Sequence, residues 1–327
     1  MRVRITEDPS IAAQALLDGH LAALPTETVY GLGARADLPH AVARVYAAKG
    51  RPADHPLIVH ILDAGELDAW GVDVPTYARS LTAAYWPGPL TVIVKRNGRA
   101  GDHVTGGQDT VALRVPSHPL MRAVLALLVD FTGDDAVGIA APSANRFGRV
   151  SPTTAAHVVD ELAAFLGADD IVLEGGASDV GVESTIVDCT GPAPVILRPG
   201  LVSREDIERV TGMQVGGTST VRAPGTLAAH YAPRARVRIV DAATLVDAPA
   251  DDATCGLLAL ADVPTPIGMV RLGEPRTVDD YARVLYAALR EADALELSTV
   301  LCVEPPSGGV GAAVSDRLRR AATSAAS

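Results

Sequence analysis

Pro25-Thr26-Glu27-Thr28-Val29-Tyr30-Gly31-Leu32-Gly33 follows the apolar run Leu21 to Leu24. An apolar run that ends in hydroxyls, a carboxylate and two close glycines reads as a buried strand displaying polar groups at its tip. Glycine lets a ligand approach the main chain closely. Hydroxyls and free N–H groups bind anions without competing with them for protons. The stretch therefore predicts a holder for a charged small molecule.

Outward from this stretch, apolar runs alternate with helical patterns. Strands are predicted at Leu57–Ile61, Thr91–Lys95, Val111–Val115, Val137–Ala141, Ile171–Leu173, Ser184–Asp188 and Val195–Arg198. Helices are predicted at Leu38–Lys49, Thr76–Ala84, His118–Leu128, Thr153–Phe165 and Arg204–Val210, with Asp37 and Ser203 placed as N-caps. This alternation predicts an α/β domain with helices packed on a sheet, of unread strand order. From Thr211 to Pro233 Gly, Thr, Ser and Pro dominate, the composition of a linker. A second α/β pattern follows, with strands at Arg236–Val240, Gly256–Leu260, Met269–Leu272 and Thr299–Val303 and helices at Val278–Ala294 and Ala312–Ala322. The expected division is residues 1–210, a linker at 211–235 and a smaller domain at 236–327, with a frayed tail at Thr323 to Ser327.

The 327 residues carry a formal net charge of −11, which argues against general affinity for nucleic acid or anionic membrane. Cys189, Cys255 and Cys302 form no CxxC pair, so structural zinc and a disulfide framework are not expected. Met1 to Ser10 lacks the apolar core of a signal peptide, and no apolar run is long enough to span a membrane. A reduced, cytoplasmic setting is expected.

Taken singly, the local motifs leave alternatives open. Gly31-Leu32-Gly33-Ala34-Arg35-Ala36 matches the loose dinucleotide pattern G-x-G-x-x-A, but no helix opens directly after it and the first acid after a second strand, Asp63, lies well beyond the expected distance. A tight turn is the plainer reading. Lys49-Gly50-Arg51-Pro52 suits either a glycine-capped helix end, with cations on the dipole, or a phosphate clamp. His60 shares a strand face with Ile58, opposite Leu57, Val59 and Ile61, and by itself reads as a core or edge residue. Arg114 lies inside an apolar strand and needs an anion or carboxylate partner. Ala140-Ala141-Pro142-Ser143-Ala144-Asn145, Glu183-Ser184-Thr185 and Leu197-Arg198-Pro199-Gly200 each place polar groups at one end of a short apolar run. No phosphate-binding G-x-x-x-x-G-K-[ST] loop and no Ser-His-Asp or Cys-His spacing is recognisable.

In order, PTETVYGLG, KGRP, HPLIVHI, WPGPLTVIV, VALRVP, APSAN, ESTIVD and ILRPG, from about Leu24 to Gly200, resemble the threonylcarbamoyl-AMP synthase family. APGTLAAHYAP at Ala223–Pro233 and GAAVSDRLRRAA at Gly311–Ala322 resemble the linker and C-terminal domain of its long form. The resemblance implies a twisted mixed sheet with helices (YrdC/RibB-like) plus a smaller Rossmann-like α/β domain. It implies that L-threonine, bicarbonate and ATP give threonylcarbamoyl-adenylate and pyrophosphate. The product would feed modification of the adenosine beside the tRNA anticodon through a separate transferase complex, without direct tRNA binding. Lys49, Arg51, Ser143 and Asn145 carry over as the shared catalytic signature. Thr26, His60, Arg114, Ala141 and Ser184 are implied at threonine, and Lys49, Arg51, Thr110, Ser143, Arg198 and Tyr231 at ATP.

His60 is expected either to take the amine proton or only to hydrogen-bond the substrate. Magnesium is expected on phosphate oxygens, with no protein cage. The linker is expected to fold over the pocket as a lid, so that removing everything beyond Gly200 leaves a soluble fold of poor activity. Leu227-Ala228-Ala229 are apolar where some members carry basic residues, so fewer nucleotide contacts are expected there. The alternatives are a carbamoyl-transferring hydrogenase maturation factor, a double-stranded RNA or rRNA binder, and a dehydrogenase. The first would need an acylphosphatase-like module and zinc-finger cysteine pairs, and the second a broad basic face.

Overall fold

The apolar runs become the strands of two separate sheets. In this computed structural model the described residues are 3–226, 230–243, 245 and 254–323. Leu227–Ala229 and the tail beyond residue 323 lie outside them. The chain divides into two compact units: one ends at Thr226 and also leaves out Gly148–Ser151 and Asp179–Val182, which belong to the other.

The first unit runs β1 (Arg4–Thr6), α1 (Pro9–Leu17), β2 (Ala22–Leu24), β3 (Gly31–Arg35), α2 (Pro39–Lys49), β4 (Ile58–His60), α3 (Leu67–Trp70), β5 (Gly71–Val72), α4 (Thr76–Tyr85) and β6 (Leu90–Arg96). It continues α5 (Asp102–Thr105), β7 (Thr110–Arg114), α6 (Pro119–Thr132), β8 (Ile139–Ala140), α7 (Ala155–Leu162), β9 (Ile171–Leu173), β10 (Thr185–Asp188), β11 (Val195–Arg198) and α8 (Arg204–Thr211). The strands form one mixed sheet in the order β1-β9-β2-β3-β8-β4-β7-β6-β10-β11, with β5 on β6. β4 runs parallel to β7 and β6 parallel to β10, while β8 is antiparallel to β4 and β6 to β7.

Strand alternation sorts the side chains onto two faces. Leu57, Val59, Ile61, Val92, Val94, Val111 and Leu113 enter the main core with the helices. Each such burial contributes roughly 1.5–3 kcal/mol. On the other face Ile58, Ile93, Ala112 and Ile186 form a second, smaller cluster, and Ala223 and Val221 from the Gly/Thr/Ser-rich segment pack onto it. His60 and Arg114 lie on that second face, in register across β4 and β7.

Three local readings change. Gly31–Arg35 is a strand rather than a tight turn, so no strand-to-helix crossover exists there for a dinucleotide. Helix α2 is capped by Leu38 without a side-chain bond, because Asp37 pairs with Arg35 at 2.6 Å. The helix after Ser151-Pro152 starts only at Ala155, where the Thr154 side chain accepts from His157 N. Ser203 does cap α8, in a capping box with Asp206.

The second unit carries β12 (Arg236–Ile239), β13 (Cys255–Leu258), β14 (Val270–Arg271), α9 (Val278–Ala294), β15 (Thr299–Cys302) and α10 (Gly311–Thr323). Its four strands are all parallel, in the order β12-β15-β13-β14, a Rossmann-like arrangement. The expected linker, 211–235, is shared: residues up to Thr226 belong to the first unit and those after it to the second.

Candidate active site

The connection from β2 to β3 is tied by Thr26. Its hydroxyl accepts from Thr28 N and Val29 N, both at 3.2 Å, and donates to Val29 O at 2.6 Å. The Thr26 and Thr28 hydroxyls also meet at 2.8 Å. Packing alone gives Gly31 and Gly33 a reason to be glycine. A Cβ on Gly33 would lie 2.8 Å from the Ile139 methyl, and one on Gly31 would lie 3.2 Å from the Ala141 Cβ. The glycines let β3 press against β8 and the residues that follow it. Ala141 N donates to Ile58 O at 3.0 Å, and Ser143 bridges Gly31.

Beside this loop, Arg114 ends β7 and is 4% exposed. Its Nη2 donates to Glu27 Oε1 at 2.6 Å, Nη1 to Thr28 Oγ1 at 2.9 Å and Nε to Gly88 O at 3.2 Å. Burial alone would raise the Glu27 carboxyl, but the Arg114 charge and hydrogen bonds hold it below the usual carboxylate range. His60 sits in register with Arg114 and Ile139, with no hydrogen-bond partner on Nδ1. Burial first, and the Arg114 charge second, push its pKa down to about 3. The imidazole is neutral at pH 7, a hydrogen-bonding group and a weak proton acceptor.

Lys49 closes α2, and Gly50 caps it at φ 61 and ψ 33. The dipole reading covers the glycine but not the lysine. The Lys49 side chain is buried and donates to the carbonyls of Ser143 and, at 2.5 Å, Asn145. Burial, with Arg51 next in weight, drives its pKa well below the ordinary lysine value. A neighbouring anion would push it back up. Arg51 is 8% exposed, donates to Pro56 O at 2.9 Å and lies over the Phe147 ring at 5.6 Å. Asn145 Nδ2 donates to Arg146 O at 2.7 Å. The KGRP and PSAN segments are thus brought together by the buried Lys49 Nζ.

Across β6 and β10, the Ser184 and Thr91 hydroxyls meet at 2.7 Å. Arg198 holds Ser184 through bonds to its carbonyl (3.1 and 3.0 Å) and its hydroxyl (3.1 Å), and donates from Nη1 to Pro224 O at 3.1 Å. Residues 219–224 form a strap over the apolar strip between these polar groups. Gln108 and the main chain of Arg222 exchange two bonds of 3.1 and 2.7 Å, and Ser219 donates to Asp188 at 2.6 Å. Thr110, at the far end of β7, is about 13 Å from Arg114 at strand rise. It borders an open cavity of about 820 Å³ also lined by Lys95, Arg96 and Thr190.

Thr26, His60, Arg114, Ala141 and Ser184 therefore lie on or beside one stretch of the sheet, with Lys49, Arg51, Ser143 and Asn145 grouped separately by Lys49. Tyr231 belongs to the second unit. There it adopts φ 63, stacks on Tyr286 at 5.7 Å and lies 5.2 Å from the Arg317 guanidinium carbon. Sequence reasoning missed the Glu27 partnership with Arg114, Thr91 and the Gln108–Arg222 and Ser219–Asp188 ties. Glu27 was visible as a carboxylate in a polar tip, and Asp188 as the acid that ends ESTIVD.

Among the described residues no helix is long and apolar enough to cross a membrane. None of their His, Cys, Asp and Glu side chains form a group of three or more able to hold a metal. Glu27 is already engaged, and the remaining donors are cations, hydroxyls and amides, which suit anions.

The family described as "Telomere recombination" matches residues 14–200, and "Threonylcarbamoyl-AMP synthase, C-terminal domain" matches residues 202–323. A threonylcarbamoyl-AMP synthase of Pyrococcus abyssi is 38% identical over 95% of this chain and 93% of its own. One of Bacillus subtilis is 37% identical over 97% of this chain and 94% of its own. A crystal structure of a Pyrococcus abyssi protein complexed with L-threonine superposes with a TM-score of 0.86 at 35% identity, covering 99% of this chain and 98% of that one. The chain belongs to the threonylcarbamoyl-AMP synthase family, in its two-domain form.

Proposed function

We propose that this chain converts L-threonine, bicarbonate and ATP into L-threonylcarbamoyladenylate, pyrophosphate and water. The observation that carries the reading is Arg114. It is a buried cation tied on three sides, in register with a neutral histidine and close to the Thr26–Thr28 loop. It offers the threonine carboxylate a charged, water-poor anchor. His60, Ala141 and Ser184 add hydrogen-bonding groups around it. Once the threonine ammonium has lost a proton to water, its nitrogen attacks the bicarbonate carbon and water leaves, giving a carbamate. A carbamate oxygen then attacks the α-phosphorus in line, and pyrophosphate departs. No protein nucleophile is required, and positioning and charge neutralisation supply the catalysis.

Lys49 and Arg51, with Ser143 and Asn145, take the phosphates, and Arg198 and Thr110 extend the nucleotide contacts along the face. Magnesium enters with ATP on phosphate oxygens, as ATP sites usually arrange it. Tyr231 is assigned to the nucleotide on family resemblance, and the second unit otherwise has no assigned chemistry. The product passes to a tRNA-modifying transferase in the cytoplasm. RNA binding is disfavoured by the formal net charge of −11. Pyrophosphate release by the full chain, with each co-substrate omitted in turn, tests the reading. Release that does not depend on threonine contradicts it.

A further inference from the structure

Arg114 is held so that part of its hydrogen-bonding capacity is left over. A guanidinium has five N–H groups. Gly88 O takes the one on Nε, Thr28 Oγ1 takes one on Nη1 and Glu27 Oε1 takes one on Nη2. One N–H on each terminal nitrogen remains. Glu27 is itself fixed at both oxygens, because Oε2 accepts from Ser117 N at 3.2 Å. The two side chains are 5% and 8% exposed. A buried ion pair is a weak source of stability, because desolvation offsets most of the attraction. What it does supply is orientation: a planar cation pinned at all three nitrogens cannot swing.

We propose that Glu27 is a positioning residue for substrate binding. With Thr28, it sets the Arg114 guanidinium so that its two remaining N–H groups present a bidentate seat for the amino-acid carboxylate. This rests on the reading that Arg114 anchors threonine. Glu27 acts through Arg114 and leaves the phosphate side of the site untouched. Thr28 is the second holder and reaches Arg114 independently of the Glu27 carboxylate.

The test uses the full chain as Glu27→Gln and Thr28→Val. Pyrophosphate release is titrated with threonine at saturating ATP, and with ATP at saturating threonine. Loss of a charge-assisted holder predicts a threonine KM raised roughly tenfold in Glu27→Gln and severalfold in Thr28→Val, with the ATP KM within about twofold. An unchanged threonine KM, or both constants rising together as general loosening would cause, overturns the proposal. If Glu27→Gln does not fold, Thr28→Val decides by the same ratio. A Glu27 that touches threonine directly would leave Thr28→Val at the parent value, which also overturns it. The threonine-induced rise in Tm is read alongside, without turnover. A parent with that rise but no pyrophosphate release sinks the reaction and leaves the positioning role to be judged by the variants' Tm shifts. A parent with neither overturns both.

Discussion

The Arg198 guanidinium joins two parts of the first unit: it bonds the Ser184 carbonyl and hydroxyl on one side and the Pro224 carbonyl, at 3.1 Å, on the other. A residue expected at the nucleotide thus also fastens the strap that lies on the same face. The strap is held further by Val221 and Ala223 against Ile58, Ile93, Ala112 and Ile186.

Ala223→Asp places a carboxylate into that apolar strip and should release the strap. Burying an unpaired charge costs several kcal/mol, so the segment lifts rather than stays. Limited proteolysis should cut between 216 and 226 at least about tenfold faster than in the parent, with Tm lowered only slightly. Equal cutting rates would show that the apolar contact does not hold the strap.

Gly33→Ala should destabilise the sheet by about 1–3 kcal/mol, because the new methyl meets the Ile139 side chain and the Ala22 carbonyl with no room to turn. Gly31→Ala should be milder, as its nearest neighbours are farther away. Denaturant midpoints of the two variants rank them, and the reverse order would contradict the packing role.

His60 has a folded pKa of about 3, below the value of about 6.5 of an unfolded histidine. Between these values the unfolded chain binds more protons, so the group's stabilisation is complete above about pH 6.5 and fades as pH falls toward 3. His60→Gln removes this dependence. Going from pH 7 to pH 4, the parent should lose about 3 kcal/mol more stability than the variant. Parallel profiles would place His60 in a wetter setting. The same low pKa predicts that His60→Gln leaves the shape of the pH–rate profile unchanged between pH 5 and 8.

A cut after Gly200 was expected to leave a soluble fold, yet Val202, Ile207 and Val215 are buried in the main core and α8 packs on α4. Losing three such side chains removes about 5 kcal/mol, a large part of ordinary domain stability. The fragment ending at Gly200 should aggregate, and the one ending at Thr226 should melt cooperatively. Equal solubility of the two would contradict this boundary.

Much of this was legible because alternation is local. His60 beside Ile58, and Arg114 beside Ala112, could be placed on one face from period two alone. The α/β class followed from the same pattern. The Gly31–Gly33 strand was not legible, since glycine carries no strand signature and its reason lies in Ile139, more than a hundred residues on. The Glu27–Arg114 pair and the Lys49 bonds to Ser143 and Asn145 join segments nearly as distant, so spacing in the chain says nothing of them. The family resemblance brought those segments together in name, and the sheet order explains how they meet.

Pyrophosphate release by the purified full chain with Mg–ATP is the most direct test of the central claim. Release should need both threonine and bicarbonate, and should fall by roughly a hundredfold or more in Lys49→Ala and Arg51→Ala. Release without threonine, or none from a properly folded chain supplied with all three substrates, would contradict it.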